Sequence, residues 1–349
     1  MPGLLSIPHP DAQVVATETE DAHEHSGEGG ETVARTVIDK VVELVVVLFI
    51  VSLGTFGLVS LIPGDPSVAV LGEGRSPEEY AQVRVEMGLD DPFLVRYWDW
   101  LSGAVRGDLG SSMVPPQGPV TESIGAALPV SVQLAVMGLV IALVVSVPLA
   151  MYSARHQGGW IDRVISAGTF GVLSIPSFLS GLLLIMVLVN YLGWFPRSQW
   201  VRVSEGLGQN LYHALLPAVA ISLLEMAMFT RILRSDLVTT LKENFILVAK
   251  AKGMSNARLL FSDALRPSSF SLITMLGIVI GSMIGSTVIV ETLFSLPGMG
   301  SLIVRAAQQG DMPMVQGAVL VIAVIYVVAN AVIDIAYGYL DPRSRRAHV

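Results

Sequence analysis

Little in this chain is placed to do covalent chemistry. It has no cysteine, which removes thiolate nucleophiles and disulfides. Its six histidines stand at 9, 23, 25, 156, 213 and 348, and no HExxH pair occurs. His23 and His25 are close enough to share a metal, but they lie in the acidic stretch TETEDAHEHSGEGGE, where solvated histidines are the ordinary outcome. No phosphate-cradling loop of the form G-x-x-x-x-G-K-[ST] is present, so the chain has no ATP site of the usual kind. Serines are plentiful, but none has a credible base beside it for intramembrane proteolysis. What remains is a few carboxylates at apolar runs, Glu225, Glu291 and Asp334. A charge at the centre of such a run costs at least about 2.5 kcal/mol when it spans lipid. Glu225 stands roughly two turns before Arg231, and it either pairs with Arg231 or Arg234 or lines a pathway. The one dense polar cluster is VAKAKGMSNARLLFSDALRPSSF, residues 248–270, with Lys250, Lys252, Arg258 and Arg266 set around Gly253. Its chemistry is non-covalent contact rather than catalysis.

The elements that position this cluster are oily. Of 349 residues 52% are hydrophobic and only 14% charged, with mean hydropathy +0.64; soluble domains carry about 25% charge. Apolar runs at about 41–62, 128–153, 164–192, 211–233, 268–290 and 313–338 each approach or exceed the roughly 20 residues that cross a bilayer. In lipid each must be helical, because the backbone finds no water to bond. With the N-terminus inside, Lys and Arg show a two-to-one excess on the inner side, which places both termini in the cytoplasm. Residues 1–34 are polar and acidic without periodicity, which predicts a disordered tail. They lack the basic start and early apolar core of a cleavable signal.

Two connections exceed plain turns. The outer one, 63–127, contains SPEEYAQVRVEMG, whose Ser, Pro and early glutamates predict a short helix, and the amphipathic, aromatic DPFLVRYWDWLSGAVRG. It reads as a small helical cap or as a passive connector. The inner one, 234–267, predicts a helix, a sharp turn at Gly253, and a second helix that starts at Ser255 or Asn256 and stops at Pro267. Phe245, Val248, Ala249 and Ala251 alternate with Lys250 and Lys252, so the segment offers a greasy and a cationic contact. Binding of anionic lipid and docking of a cytosolic partner both fit. In the fifth run Gly277, Gly281 and Gly285 share one face, with Ser282 and Ser286 beside them. Small residues let helices approach closely in lipid, which predicts a seam against a neighbouring helix or beside a pathway.

FILVAKAKGMSNARLLFSDALRP resembles the cytoplasmic signature loop of permease subunits in ABC importers, and within them the oligopeptide/dipeptide/nickel branch. The family's Ala-x-Ala-Lys-Gly core matches Ala249, Ala251, Lys252 and Gly253; the glutamate that names the loop elsewhere is absent. VSLGTFGLVSLIPGDP, LDDPFLVRYWDWLSGAVRGDLGSS, WIDRVISAGTFGVLSIPSFLSGLLLIMVLVNYLGWFP, STVIVETLFSLPGMGSLIVRAAQQGDMPMVQGAVL and YLDPRSR resemble further segments of that branch, in the same order. The acidic tail and Glu225 depart from its pattern.

The resemblance implies an all-α integral membrane protein with the type I ABC importer permease fold. Its six transmembrane helices would divide as a first helix at 35–62, an external cap at 63–127, and a core of five helices at 128–340, closed by a cytoplasmic tail at 341–349. It implies that Phe245, Val248, Ala249, Lys250, Ala251, Lys252, Gly253, Met254 and Ser255 form a coupling helix seated on an ATPase subunit. The implied partners are a second homologous permease, of which this chain is the first of the pair, one or two ABC ATPases carrying ATP and Mg, and an extracytoplasmic substrate-binding protein. The expected location is the bacterial plasma membrane, the expected cargo peptides, and no cofactor is expected in this chain. The competing expectations are an ion-coupled secondary transporter and the same architecture carrying nickel.

Overall fold

The computed structural model describes residues 41–61, 65–72, 74–196 and 199–340. The expected tails, 1–34 and 341–349, and the start of the first helix lie outside these residues. The chain divides into two units, Met1–Ile50 and Val51–Val349. In the first unit residues 41–50 are helical and mostly exposed. They open α1 (Val41–Ser60).

The described residues are helical, with no strand among them. Among the described residues five helices are long and apolar enough to cross a membrane, six if one sharply bent pair is taken as a single span. After α1 come three short outer helices, α2 (Pro66–Leu71), α3 (Pro77–Glu86) and α4 (Phe93–Val105). Sequence chemistry explains their starts. Asp65 caps α2 by accepting from Ser67 N, and Ser76 and Glu79 close a reciprocal capping box on α3. Arg84 bonds both Asp65 and Asp90 at 2.8 Å and so ties α2, α3 and the following turn together. Helix α4 is fixed to the outer half of α1. The Phe56 ring meets Phe93 edge-on at 5.3 Å and Tyr97 at 5.6 Å, and Ser52 shares a 2.8 Å hydrogen bond with the buried Tyr97 hydroxyl. Within the connection after α1, α4 is thus packed directly on α1.

The centre is the pair α5 (Val120–Arg155) and α8 (Leu207–Thr240). Contacts advance in step along them, from Gln133–Asn210 through Gly138–Ile221 to Ser153–Arg234, so the two helices run parallel. Gly138 sits where α5, α8 and α11 meet. A Cβ there would lie 3.2 Å from Ile221 and from Met283, so glycine lets the three helices pack closely without shifting those side chains.

The third span departs from the expected straight helix. It is split into α6 (Trp160–Ser174) and α7 (Ser177–Leu184), the latter continuing as a π-helical stretch to Tyr191, and the halves are bent by 107°. Pro176 causes the break by forcing Ile175 out of helical geometry, to φ −98 and ψ 126. Pro267, expected to stop a helix, does not. α9 (Asn244–Ala251) ends at the Gly253 turn, and α10 (Asn256–Arg258) runs through a π turn at 259–264 into α11 (Leu265–Leu293). Pro267 follows directly on that π turn, an irregular stretch where a missing N–H does not break the helix. An element not foreseen, α12 (Met299–Gln309), lies between α11 and the last span α13 (Met312–Leu340).

Candidate functional site

The inner element is built by local rules. Ile246 is buried and anchors α9, while Phe245, Leu247 and Val248 are each about half exposed (49%, 55% and 53%). At its end Gly253 N donates to Lys250 O at 3.0 Å and Met254 N to Ala249 O at 3.3 Å, the paired closure of a left-handed helix cap. Gly253 takes φ +82, a conformation any Cβ would strain. Ser255 then caps α10 by accepting from Arg258 N. Ala249 and Met254 are half-buried; Lys250, Ala251, Lys252, Gly253 and Ser255 are exposed. Leu259, Leu260 and Ala264 are buried behind the turn, and Ser268 donates to Thr240 at 2.9 Å. The result is a fixed short helix with an uncovered apolar face and a cationic end.

Next to it lies an ion pair that the sequence did not reveal. Arg234 on α8 grips Asp162 on α6 with two bonds, Nε to Oδ1 at 2.6 Å and a terminal nitrogen to Oδ2 at 2.7 Å. Ser153 on α5 donates to Oδ1 at 2.5 Å, and Gly158 N donates to Oδ2 at 2.8 Å. Three helices are therefore clamped together. Arg231 stacks over the Phe170 ring, 4.6 Å from its centroid. Both arginines considered as partners for Glu225 are thus engaged elsewhere. Glu225 is 3% exposed, and its Oε2 has no hydrogen-bond partner.

Of the residues expected to form a seam, Gly277 is buried, Ser286 half-buried and Gly285 exposed, with nothing within 4 Å of a Cβ placed there. Gly281 and Ser282 lie on α11, but their side chains are outside the described residues. Tight approaches also occur elsewhere. A Cβ on Gly181 would meet Leu293 at 2.8 Å, and one on Gly300 would meet Val288 Cα at 2.3 Å.

At the opposite end of the spans the structure forms a cavity of about 570 Å³. Its floor is the start of α5, with Val130 and Gln133. Trp200 and Arg202 of the 199–206 loop form one wall, and Leu302 and Arg305 of α12 form another. Each wall is pinned. Asn210 bonds Gln133 at 2.5 Å and donates to Val201 O at 2.6 Å, which holds the loop to α8. The α12 wall hangs on Glu291, whose carboxylate accepts from Ser131 at 2.5 Å, Gly300 N at 2.7 Å and Ser301 N at 3.2 Å. A carboxylate at a helix N-terminus satisfies free N–H groups and favours the helix dipole. Gly298 leaves room for it, since a Cβ there would stand 2.3 Å from Glu291 Cδ. Nothing in the sequence pairs Arg202 with Arg305. Their shared cavity depends on contacts between segments about a hundred residues apart.

Comparison with known proteins agrees with this architecture. A family model described as the binding-protein-dependent transport system inner membrane component matches residues 146–346, and its N-terminal companion matches 33–135. The chain is similar to the oligopeptide transport system permease protein AppB of Bacillus subtilis, 35% identical over 312 residues, covering 89% of this chain and 99% of AppB. It is similar to the glutathione transport system permease protein GsiC of Escherichia coli, 30% identical over 88% of this chain and 98% of GsiC. It also resembles the dipeptide transport system permease protein DppB of Alkalihalophilus pseudofirmus, 28% identical over 86% and 96% of the two chains.

Proposed function

Because the chain belongs to the family of inner membrane components of binding-protein-dependent transport systems, we propose that it is the membrane-spanning half of an importer of short peptides, driven by ATP hydrolysed on partner subunits. The observation that carries this reading is α9. A helix fixed by Ile246 and the Gly253 cap presents Phe245, Leu247 and Val248 uncovered beside Lys250 and Lys252. An exposed apolar anchor on a rigid mount suits insertion into a groove of another protein. Attraction to anionic lipid needs charge but no such mount.

In this mechanism the ATPase subunits, carrying ATP and Mg, close and displace α9. The displacement reaches the spans through the continuous rod α10–α11 and through the Ser268–Thr240 contact to α8. A binding protein delivers cargo on the outer side, where the cavity lies, and a second homologous permease completes the path. Both termini face the cytoplasm. Peptide cargo is supported by the relatives named for oligopeptide and dipeptide transport and by the size of the outer cavity, which lies within the roughly 300–1,000 Å³ range of small-ligand sites.

The test is Val248→Asp, with Gly253→Pro as an independent second variant. Peptide uptake driven by ATP is expected to fall at least tenfold while the chain still reaches the membrane, and the ATPase subunits are expected to stop co-purifying with Val248→Asp. Normal uptake in both variants refutes the lever.

A further inference from the structure

The outer cavity has a chemical bias. Arg202 and Arg305 approach it from two different elements, and both line it. Neither guanidinium has a carboxylate partner among the described residues. Glu205, the acid nearest Arg202 in sequence, instead accepts from the Arg202 backbone N–H at 3.3 Å. Arg305 Nε donates to Ser301 O at 3.2 Å, which steadies the side chain and leaves its terminal nitrogens free of bonds among the described residues. Glu291, the buried acid behind the α12 wall, is already occupied by Ser131 and the two backbone N–H groups. No carboxylate lines the cavity among the described residues. The remaining surface is mixed, with Trp200, Val130 and Leu302 apolar and Gln133 polar.

We propose that this cavity receives cargo carboxylate-first, with Arg202 and Arg305 binding the C-terminal carboxylate of a short peptide while Trp200, Val130 and Leu302 contact its side chains. A guanidinium offers a planar pair of donors that matches a carboxylate, which a single ammonium does not. Two like charges converging on one hollow raise the local potential and draw anions in. Entry of the peptide displaces water from the hollow, so each bond to the carboxylate strengthens as the cavity fills. Because Arg305 rides on α12 and Arg202 on the 199–206 loop, a bound carboxylate bridges the two walls. Release of cargo inward then requires the walls to part.

This inference rests on the peptide-importer reading. Its test uses the complete assembly, this chain with its partner permease, ATPases and binding protein, in proteoliposomes. Uptake of trialanine is compared with uptake of trialanine amide, which lacks the terminal negative charge. The wild-type assembly is expected to favour the free acid, and Arg202→Gln with Arg305→Gln is expected to reduce the acid-to-amide ratio about tenfold, the scale of one lost charge-assisted hydrogen bond. The paired Lys substitutions, which keep charge but lose the fork, are expected to fall between. Any preference of the binding protein is common to all assemblies and cancels in the comparison. Equal uptake of acid and amide by the wild type, or a ratio unchanged in the Gln pair, overturns the proposal. If the Gln pair moves neither peptide, Arg305→Gln alone is compared in the same way; a reduced ratio supports the proposal and an unchanged one overturns it. If the wild-type assembly moves neither peptide with ATP, the proposed function fails first, and this inference falls with it.

Discussion

Removing both members of the Asp162–Arg234 pair should cost no more than removing one. The pair is nearly enclosed, with side-chain exposure of 6% for Asp162 and 26% for Arg234. Breaking a buried pair from one side costs about 3–5 kcal/mol, because the surviving charge is stranded. Arg234 keeps a quarter of its surface open, so the low end applies, and Asp162→Ala is expected to destabilise by about 3 kcal/mol. Arg234→Met should cost a similar amount, since the stranded Asp162 retains only Ser153 and Gly158 as donors. In the double variant no charge is left buried. What remains is the loss of bonds at Ser153 and Gly158, about 2–3 kcal/mol. The coupling between the two sites should therefore be about 3 kcal/mol. The assay is reversible unfolding of all four proteins in mixed micelles, followed by tryptophan fluorescence; Trp160 lies two residues before Asp162. The coupling should change little with salt, because enclosed charges are weakly screened. Single effects that simply add, within about 0.5 kcal/mol, would refute the view that the two residues act as one clamp.

Two other outcomes follow from local geometry. Gly300→Ala places a methyl 2.3 Å from Val288 Cα, a backbone atom that cannot rotate away, and should lower stability by about 1–3 kcal/mol; Gly168→Ala, with nothing within 4 Å, should be neutral or mildly stabilising in the same thermal melt. The outer helices should loosen in acid. Hydrogen bonds from Ser67, then the Arg84 guanidinium, hold the Asp65 carboxyl below its usual range against the opposing effect of burial. Its contribution is fully present above the unfolded value near 4 and is lost as pH falls through the lower folded value. Protection from hydrogen exchange around Asp65, measured against intrinsic rates, should fall below about pH 4, and Asp65→Asn should remove part of that dependence.

Much of the architecture was legible from the sequence because lipid leaves the chain few choices. A run of about 20 apolar residues has to be a helix, so five of the six spans appear as expected among the described residues, and those from Val120 and from Leu207 run well past the expected ends. The Gly253 turn was equally legible. Its dihedral demand is local, and the Ser255 cap follows two residues later. Likewise SPEEY announces its own capping box. The third span was harder, although its cause is also local: Pro176 constrains only Ile175, but the 107° bend it allows is held by packing against α8.

What the sequence determined by itself is therefore the set of rods, their order along the chain and the turn at Gly253. Those follow from hydropathy, glycine dihedrals and caps, each decided within a few residues. Only the tertiary structure decided which charges meet. Arg234 was a candidate partner for Glu225, nine residues away, yet it grips Asp162 across 72 residues, while Glu291 reaches back 160 residues to Ser131. Arg202 and Arg305 have nothing to pair them in the sequence, and two walls bring them to one cavity. The physical reason is reach. Hydropathy and dihedral strain act on neighbours along the chain, whereas an ion pair acts through space, and its partner is selected by how the helices pack.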